Sequence, residues 1–543
     1  MKGLMQEQQL NVRMVLERAE RVHPTKTVTT KTTDGVKTAT FAEVGQRARR
    51  LVAALRKLGV QREDRVATFS WNTQTHLEAY VAAPAMGAVL HTLNIRLFPD
   101  DLAYVVDHAE DHTVIVDRSL WPAWEKVAAS VKSPKNIIVV NDTGEPLPEG
   151  AIDYEQLLAE NEPATDLPDI DESEAAAMCY TSGTTGHPKG VVYSHRSATL
   201  HSLMIGLADS MALCEADVVL PVVPMFHANA WGLPYAALLV GADLVFPARF
   251  MDPQSLTGLL VDRKVTLTAG VPTIWQGMLE PMKQNKEGLK SLSRMVCGGS
   301  ALPAALQQAY KRDLGIPVFH AWGMTETGPL ASISRPMAKH AGMGADAVDG
   351  IMAKQGRVVT GVDIRIVDDE GKEVPWDGES SGEIQVRGNW VAAAYYNDDS
   401  GQDKFTDDGW LRTGDVAAMD ADGYIDIVDR TKDLIKSGGE WISSVQLEGL
   451  IMAHPDVAEA AVVAIPDAKW SERPLACVVP RPEAKDRLTA DDILDFLRPQ
   501  VAKWSLPDDV VFVEEVPKTS VGKFDKKVLR ERFKAHAPAA AKP

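Results

Sequence analysis

The chain has 543 residues, of which 45% are hydrophobic, and a formal net charge of −18. At about 150 residues per domain, this length predicts three or four structural units with sizeable cores. The acidic balance argues against a nucleic-acid partner, because a phosphate backbone is held mainly by lysine and arginine.

The cysteines and the apolar runs indicate in which cellular compartment the protein is expected. The four cysteines form no CxxC pair and have no histidine at metal spacing, so neither a disulfide framework nor a zinc site is expected. Residues 1–10 lack the apolar core of a signal peptide, and no run reaches the roughly 18 apolar residues of a membrane helix. We therefore expect a cytoplasmic protein with no integral membrane segment, and leave peripheral membrane association open.

The first four hundred residues alternate helical patterns with short β-branched runs, which is typical of an α/β fold with largely parallel sheets. A capping box at Thr40-Phe-Ala-Glu43 predicts a helix that ends at Gly59. The segment 79–93, rich in glycine and alanine, is expected to be one buried helix. Strands are expected at 65–69, 113–116, 136–140, 175–180, 218–223 and 318–321.

The pattern changes near residue 360, where strands separated by Asp/Gly turns indicate an antiparallel unit. These strands are expected at 363–367, 383–387 and 424–428. Beyond residue 433 the pattern predicts a separate domain of about 110 residues. Its expected elements are helices at 444–453 and 490–501 and strands at 460–465, 476–479 and 510–512. Residues 535–543 are expected to form a disordered tail.

The segment most informative about chemistry is Tyr180-Thr-Ser-Gly-Thr-Thr-Gly-His-Pro-Lys-Gly190, which directly follows an expected strand. Its glycines allow backbone N–H groups to approach an anion, its hydroxyls can donate hydrogen bonds, and Lys189 adds a positive charge. The spacing is not that of a Walker P-loop, because Gly183 and Gly186 stand three apart and Lys189 precedes a glycine. A plain surface turn is the alternative to a loop that binds the phosphates of ATP.

This loop resembles the signature of the adenylate-forming (AMP-binding) superfamily, which includes acyl-CoA synthetases, luciferases and peptide-synthetase adenylation domains. Further clusters match the family's pattern in the same order, so the resemblance spans about residues 30–530. They are Trp322-Gly-Met-Thr-Glu-Thr327, Trp410-Leu-Arg-Thr-Gly-Asp415, Lys436-Ser-Gly-Gly-Glu-Trp-Ile442 and Pro517-Lys-Thr-Ser-Val-Gly-Lys523.

The resemblance implies roles for individual residues around the nucleotide. Thr325 would touch the α-phosphate, and Glu326 and Thr184 would ligate Mg²⁺. Asp415 would accept hydrogen bonds from two ribose hydroxyls, and Arg430 would contact the same sugar. Without the resemblance, Glu326 reads as a loop acid, Asp415 as a turn-stabilising residue and Arg430 as part of a surface ion pair.

The resemblance also assigns roles near the C-terminus. Lys523 would bridge the substrate carboxylate and the α-phosphate; alone, it reads as a solubilising charge. Lys432 aligns with the family's hinge, which implies domain rotation. The segment 436–442 would then line the thiol's entry, a role that is compatible with a β-hairpin turn. Arg473 is a weaker candidate for contact with the CoA phosphates, and a surface charge is the alternative.

The substrate class is read from Pro224-Met-Phe-His-Ala-Asn-Ala-Trp-Gly-Leu-Pro234, which resembles the acyl-pocket segment of medium- and long-chain fatty acyl-CoA synthetases. His227 would lie near the carboxylate and the thiol channel, and Trp231 would stand as a gate over the acyl tunnel. Packing in the core is the alternative for both residues. The small residues of Cys297-Gly-Gly-Ser-Ala301 would form the tunnel floor and one face of the adenine site. The segment 221–234 is also similar to that of ligases for methylmercaptopropionate.

The expected fold is α/β, with a large N-terminal domain of mixed and parallel sheets flanked by helices, a small β-barrel-like unit, and a small mobile α+β C-terminal domain. The expected bounds are 1–429 for the large domain, about 360–429 for its antiparallel unit, 430–433 for the hinge and 434–534 for the C-terminal domain. The predicted catalytic residues are Lys189, His227, Thr325, Glu326 and Lys523. The predicted substrate contacts are His227, Trp231, Gly298 and Gly299. The predicted nucleotide and CoA contacts are Thr181, Ser182, Gly183, Thr184, Thr185, Gly186, Gly299, Ser300, Ala301, His320, Ala321, Trp322, Gly323, Asp415, Arg430, Lys436, Gly438, Gly439, Glu440 and Trp441.

The implied activity is that of an AMP-forming acyl-CoA synthetase. It would use ATP and Mg²⁺ to convert a medium- or long-chain fatty acid to an acyl-adenylate, and then transfer the acyl group to the thiol of CoA. The alternatives are a 3-methylmercaptopropionyl-CoA ligase, a luciferase-like or carrier-loading adenylating enzyme, and a nucleotide-binding relative without turnover. Acyl length, pathway and oligomeric state, including a homodimer, are left open by the sequence.

Overall fold

A computed structural model describes residues 1, 3–181, 187–438, 440–467, 469–518, 524–534 and 536. The helices are α1 (Val12–Val22), α2 (Phe41–Lys57), α3 (Gln74–Ala85), α4 (Pro99–His108), α5 (Trp121–Ala128), α6 (Tyr154–Ala159), α7 (His195–Ile205), α8 (Leu233–Val240), α9 (Pro253–Asp262), α10 (Pro272–Gln284), α11 (Ala304–Ala309), α12 (Ala345–Ala353), α13 (Ser444–Met452), α14 (Ala490–Leu497) and α15 (Lys526–Phe533).

The strands within these ranges form three sheets. They are β1 (Thr27–Thr32), β2 (Gly35–Thr40), β3 (Arg65–Phe69), β4 (Val89–Thr92), β5 (Asp111–Asp117), β6 (Asn136–Val140), β7 (Ile152–Asp153), β8 (Ala175–Tyr180), β9 (Gly190–Ser194), β10 (Val218–Pro221), β11 (Asp243–Phe246), β12 (Leu267–Gly270), β13 (Arg294–Cys297), β14 (Val318–Gly323), β15 (Leu330–Ile333), β16 (Gly356–Val358), β17 (Val362–Val367), β18 (Ser381–Gly388), β19 (Leu411–Met419), β20 (Tyr424–Arg430), β21 (Ile435–Ser437), β22 (Glu440–Ile442), β23 (Val457–Asp467), β24 (Ser471–Pro480) and β25 (Asp509–Phe512).

Helix α2 shows how the local sequence sets the start of an element. The hydroxyl of Thr40 accepts a hydrogen bond from the N–H of Glu43 at 3.2 Å, while the Glu43 carboxylate accepts one from the N–H of Thr40 at 2.7 Å. This reciprocal capping satisfies two backbone groups that a helix start leaves without partners. The capping box read from the sequence is therefore confirmed.

The seven-stranded sheet has the order β7-β6-β5-β3-β4-β8-β9 and is parallel except for the β8–β9 pair. Its central strands are buried on both faces, which explains why they read as continuous apolar runs. Strand β8 ends at Tyr180, so the segment that resembles a phosphate-binding loop starts at the carboxyl end of a strand.

The longest sheet has thirteen strands in the order β17-β18-β19-β20-β16-β15-β14-β13-β12-β10-β11-β1-β2. Strands β10 to β14 pair in parallel, and all pairs from β14 to β17 are antiparallel. The predicted antiparallel strands thus continue the path of the parallel sheet at its β14 end. The C-terminal part forms a separate sheet, β22-β21-β24-β23, with β25 beside β24. The expected α/β fold with a large and a small domain is confirmed.

The segment 79–93 differs from the expectation of one buried helix, and that prediction was wrong. Helix α3 ends at Ala85, Gly87 turns the chain with a φ of +85°, and the segment closes with β4. Both elements are fully buried, so both read as apolar, and a positive φ at Gly87 leaves no trace in hydrophobicity. The predicted tail 535–543 lies outside the described residues except for His536. In the part of the chain that the structure describes, no helix has the length and apolar character needed to cross a bilayer.

Candidate functional site

A cavity of about 880 Å³ lies between the large domain and the C-terminal domain. Its walls come from segments next to β8, β13 and β14, from the adjacent ends of β19 and β20, and from the start of α15. The predicted site residues that line it are Thr181, Lys189, His227, Trp231, Gly298, Gly299, Ala321, Trp322, Gly323, Thr325, Glu326, Arg430 and Lys432. Motifs that are up to 250 residues apart in the sequence therefore meet at one place.

The remaining predicted site residues fall into two groups. Those outside the described residues are Ser182, Gly183, Thr184, Thr185, Gly186, Gly439 and Lys523. Those that are described but do not line the cavity are Ser300, Ala301, His320, Asp415, Lys436, Gly438, Glu440 and Trp441. Among the second group, His320 is buried, its Nδ1 lies 3.0 Å from the carbonyl oxygen of Ala353, and burial lowers its pKa, which keeps the ring neutral.

The residues predicted to hold the ribose are adjacent. Asp415 on β19 is the register partner of Arg430 on β20, and the guanidinium Nε lies 3.2 Å from the Asp415 carboxylate. The indole N–H of Trp322 donates to the other carboxylate oxygen at 2.8 Å. Asp415 is therefore a buried strand residue held by two motifs, which differs from the turn-stabilising alternative. Two such groups can recognise a pair of vicinal hydroxyls.

Glu326 lies in a short 3₁₀ turn, Thr325–Thr327, which follows β14. Its side chain is buried at 6% exposure, and one carboxylate oxygen accepts a hydrogen bond from the hydroxyl of Tyr395 at 2.6 Å. The carbonyl of the preceding Thr325 accepts a hydrogen bond from Tyr193 at 2.7 Å. A carboxylate that is buried, held at one oxygen and part of a cavity wall is not a solvated loop acid.

The segment between β18 and β19, from about residue 391 to 405, contributes a part of the site that the sequence reasoning missed. Its Asp398 lies 3.1 Å from the Lys189 ammonium, which also donates to the hydroxyl of Ser400 at 3.2 Å. The ring of Tyr395 lies 5.0 Å from the same ammonium. The hydrogen bond from the Ser400 hydroxyl lowers the pKa of Asp398, and the pairing with Lys189 lowers it further.

A stack of rings lies beside the phosphate-type segment and was also missed. Tyr104 stacks on His187 with ring centres 4.5 Å apart and on His108 at 5.1 Å. His108 Nδ1 lies 2.7 Å from the hydroxyl of Tyr180. His187 stands within the loop motif, but its partners on α4 are some eighty residues away in the sequence, so no local signal identifies the stack.

The predicted acyl-pocket segment has an unusual backbone. Residues 228–232 have positive φ angles of 43°, 51°, 49°, 58° and 75°, although the first four are not glycine. This left-handed turn places Trp231 in the cavity wall, where its ring lies against Gly298. A Cβ at Gly298 would stand 3.2 Å from the Trp231 ring and 2.8 Å from the carbonyl oxygen of Ala321. Glycine is therefore required at this contact, and His227 lines the same cavity.

The donor set around Glu326 suits magnesium bound together with a nucleotide. Among the described residues, no three or more His, Cys, Asp or Glu side chains cluster closely enough to hold a metal ion by themselves. Magnesium in nucleotide sites is usually held by one or two carboxylates, by substrate phosphates and by water. The single buried carboxylate of Glu326, in a cavity that also holds Lys189, fits that pattern.

The C-terminal domain lines the cavity with Phe524, Asp525, Lys526, Lys527 and Arg530. Phe524 and Asp525 directly follow the predicted Lys523 in the sequence. The Lys526 ammonium lies 2.7 Å from the carboxylate of Glu448 and 2.7 Å from the hydroxyl of Ser444. The start of α15 is therefore anchored to α13 of the same domain.

The segment predicted to admit the thiol forms the antiparallel pair β21–β22, in which Lys436 is opposite Trp441. A hairpin turn at Gly438, with a φ of +62°, is thus the observed structure, and it does not line the cavity in this arrangement. Arg473 is neither available for CoA phosphates nor a surface charge. The residue is 8% exposed, and its guanidinium donates to Asp508, Ser437 and the carbonyl oxygens of Trp504 and Leu506.

A cavity between two domains that unites cationic, carboxylate and hydroxyl groups suits an anionic ligand such as a nucleotide. A model of AMP-binding enzymes matches residues 16–396, and a model of the AMP-binding enzyme C-terminal domain matches residues 446–523. The chain therefore belongs to the AMP-binding enzyme family.

Curated relatives are similar over nearly the whole chain. A long-chain-fatty-acid–CoA ligase of Thermus thermophilus is 48% identical, over 98% of this chain and 97% of the relative. A medium-chain-fatty-acid–CoA ligase of Ectopseudomonas oleovorans is 43% identical, over 98% of both chains. A 3-methylmercaptopropionyl-CoA ligase of Ruegeria lacuscaerulensis is 42% identical, over 98% of this chain and 99% of the relative.

Solved structures share the architecture. An anthranilate CoA ligase in complex with anthranoyl-AMP aligns with a TM-score of 0.86 and 27% identity, over 98% of each chain. ATP-bound MatB from Rhodopseudomonas palustris aligns with a TM-score of 0.83 and 28% identity, over 96% of this chain and 99% of the other. Both comparisons cover the two domains together.

Proposed function

We propose that the protein is an AMP-forming acyl-CoA synthetase that activates a medium- or long-chain fatty acid with ATP. The acid would first become an acyl-adenylate with release of pyrophosphate, and the CoA thiol would then displace AMP. The observation that carries this proposal is the meeting of Lys189, Glu326 and Arg430 with the start of α15 in one cavity. The long- and medium-chain ligases among the relatives support the choice of acid.

The predicted site residues would have distinct tasks in the first step. Asp415, next to the cavity, and Arg430 would hold the ribose, and the hydroxyl of Thr325 would donate a hydrogen bond to the α-phosphate. The positive charge of Lys189 would offset negative charge on the triphosphate. Lys523, which lies outside the described residues, would bridge the substrate carboxylate and the α-phosphate through its ammonium group. Magnesium held at Glu326, with Thr184 as a second ligand outside the described residues, would neutralise further phosphate charge when bound with ATP. Cations that are already in place reduce the repulsion between the substrate carboxylate and the α-phosphate, because both reacting groups are anions.

The second step would require the C-terminal domain to turn. In the described arrangement Phe524 lines the cavity and the β21–β22 hairpin does not, which suits adenylation. We propose that rotation at residues 430–433, around Lys432, exchanges these two segments and brings Lys436, Gly438 and Trp441 toward the thiol path. The domain bounds 1–429 and 434–534 are part of this proposal.

The second candidate is a 3-methylmercaptopropionyl-CoA ligase. It is supported by the relative of that name, which is 42% identical to this chain. A short thioether acid resembles a small fatty acid in shape, so both candidates use the same residues.

The proposal is tested by coupled release of AMP and pyrophosphate in the presence of CoA, across a panel of acids from acetate to oleate that includes methylmercaptopropionate. We expect an optimum among the medium- or long-chain acids. Up to that optimum, kcat/KM should increase about fourfold for each further methylene that the pocket buries. Activity confined to methylmercaptopropionate would select the second candidate. Absence of pyrophosphate with every acid would contradict both.

The proposal places the enzyme in the cytoplasm. All four cysteines are unpaired, three of them buried, as is usual in a reducing compartment. Size-exclusion chromatography with light scattering would decide between a monomer and a homodimer.

A further inference from the structure

Tyr395 lies in the segment between β18 and β19, to which the sequence assigns no function. Its hydroxyl donates a hydrogen bond of 2.6 Å to Glu326 Oε1, and its ring lies 5.0 Å from the ammonium of Lys189. One side chain therefore contacts the carboxylate that suits the metal and the lysine that suits the triphosphate. These two residues come from motifs 137 positions apart, and Tyr395 is from neither motif.

The hydrogen bond has a defined direction. A carboxylate can only accept, so the tyrosine hydroxyl is the donor. Because one oxygen of Glu326 is fixed in this way, the direction in which the other oxygen points is fixed as well.

The ring of Tyr395 is itself held tightly. It packs against Phe405 with ring centres 5.7 Å apart at an angle of 64°. At Gly401 an added Cβ would stand 2.5 Å from the Tyr395 ring and 2.8 Å from the Lys189 ammonium. The backbone of this segment therefore lies directly against both groups, and the ammonium has its other contacts with Asp398 and Ser400 of the same segment.

We propose that Tyr395 is a positioning residue that sets Glu326 for a divalent cation through its hydroxyl and sets Lys189 for the triphosphate through its ring. The inference rests on the proposed function, because it concerns the same ATP site. The two parts of the side chain would have separable effects. Removal of the hydroxyl should weaken metal binding, and removal of the ring should weaken nucleotide binding even when no metal is present.

The experiment uses the full-length protein and α,β-methylene-ATP, which cannot release pyrophosphate. Binding of Mn²⁺ to the enzyme with this analogue is followed by electron paramagnetic resonance, and binding of the analogue without metal by calorimetry. We expect Tyr395→Phe to weaken Mn²⁺ binding roughly 10-fold or more, as loss of a partner behind a metal ligand usually does. Binding of the metal-free analogue should change less than about twofold by the same reasoning. Tyr395→Leu should weaken both.

The matched control is Tyr310→Phe, which removes a buried hydroxyl that donates to the carbonyl oxygen of Trp275 at 2.6 Å, outside the cavity wall. This control should bind both ligands as the wild type does. Thioester formation from supplied acyl-adenylate should also be unchanged in Tyr395→Phe, because that step does not use the triphosphate.

Two results would overturn the inference: equal Mn²⁺ affinity in the wild type and Tyr395→Phe, or equal losses of metal-free analogue binding in the Phe and Leu variants. Failure of the proposed function gives a different result, in which the wild type itself binds neither the analogue nor Mn²⁺ in its presence.

Discussion

Asp117, at the carboxyl end of β5, is a carboxyl group that folding removes almost completely from water. It is 1% exposed, and its Oδ2 accepts a hydrogen bond from the N–H of Trp71 at 2.8 Å. Burial, with the charge of Asp142 as a second cause, raises the pKa of Asp117 to about 8. The folded protein thus holds a proton at neutral pH that the unfolded chain releases, since an unperturbed aspartate has a pKa of about 3.9.

We predict that Asp117→Asn alters the pH dependence of stability. A raised pKa in the folded state contributes stability that is fully present below about pH 4 and is lost as the pH rises through about 8, with a limiting slope of about 1.4 kcal/mol per pH unit. Asparagine keeps the shape without the titration, so the free energy of unfolding of the variant should rise relative to wild type between pH 5 and 8. Urea unfolding at three pH values measures this difference.

Asp34→Asn, in the exposed turn between β1 and β2, is the control and should follow the wild-type pH dependence. A difference between Asp117→Asn and wild type that stays constant from pH 5 to 8 would contradict the prediction.

At the scale of single residues, the sequence identified side chains in recognisable local patterns. Glu326 and Arg430 follow or end strands, and both line the cavity. Tyr395 was missed because nothing near it in the sequence distinguishes it from any tyrosine in an acidic loop. Tyr395 and Glu326 are 69 residues apart in the sequence. They come into contact only because strands β15 to β18 bring the segment after β18 close to the end of β14.

Among the described elements, the left-handed turn at residues 228–232 is unusual, because four consecutive non-glycine residues have positive φ. Each non-glycine residue in this conformation costs about 1–2 kcal/mol. The turn is held by full burial of Ala228 and Ala230 and by the contact of the Cys179 thiol with the side-chain oxygen of Asn229 at 3.2 Å. Strain of this kind persists where the surroundings over-determine the backbone, often at functional sites. Here the turn holds the Trp231 ring against Gly298.

We predict that Trp231→Ala lengthens the acyl pocket. Without the indole, the space that the ring fills beside Gly298 would be added to the cavity. The ratio of kcat/KM for a long acid to that for a short acid should rise about 10-fold or more, because each further buried methylene contributes about 0.8 kcal/mol. The acid panel with coupled AMP release measures the ratio.

Trp376→Ala, which removes an exposed indole outside the cavity wall, is the control and should leave the ratio unchanged. An unchanged ratio in Trp231→Ala would show that the ring does not limit acyl length.

The same scale explains which elements the sequence could predict. Strands such as β3 and β6 were predicted to the residue because apolar β-branched runs and turn residues mark both ends. The left-handed turn was not predicted, because alanine and tryptophan rarely adopt positive φ, and one asparagine and one glycine do not indicate a run of five such residues. The sequence also did not reveal that segment 79–93 is divided into the end of α3 and strand β4. Both elements are buried on all sides, and such burial removes the periodicity on which the prediction depends.

For the whole molecule, contacts across residues 430–433 link the large and the small domain. The Asp429 carboxylate, near the end of β20, accepts hydrogen bonds from the N–H of Ser444 at 2.6 Å and from its hydroxyl. The hydroxyl of Ser443 donates to the carbonyl of Val428, and Arg530 pairs with Asp433. Rotation of the C-terminal domain around Lys432 would have to break the bonds at Ser443 and Ser444. They therefore favour the arrangement in which the start of α15 lines the cavity.

We predict that Asp429→Ala affects the two half-reactions differently. Hydrogen bonds to a charged group are worth about 1.5–3 kcal/mol each, so loss of this carboxylate should depopulate the described orientation and slow pyrophosphate release roughly 10-fold or more. Thioester formation from supplied acyl-adenylate uses the rotated orientation, and it should stay within about twofold or become faster by the same population shift. Rapid-quench measurement of each half-reaction gives both rates. The control is Asp363→Ala, which removes an exposed carboxylate on β17 that pairs with Arg387 of the neighbouring strand. If both half-reactions slowed equally in Asp429→Ala, the contact would support the fold rather than the orientation of the domains.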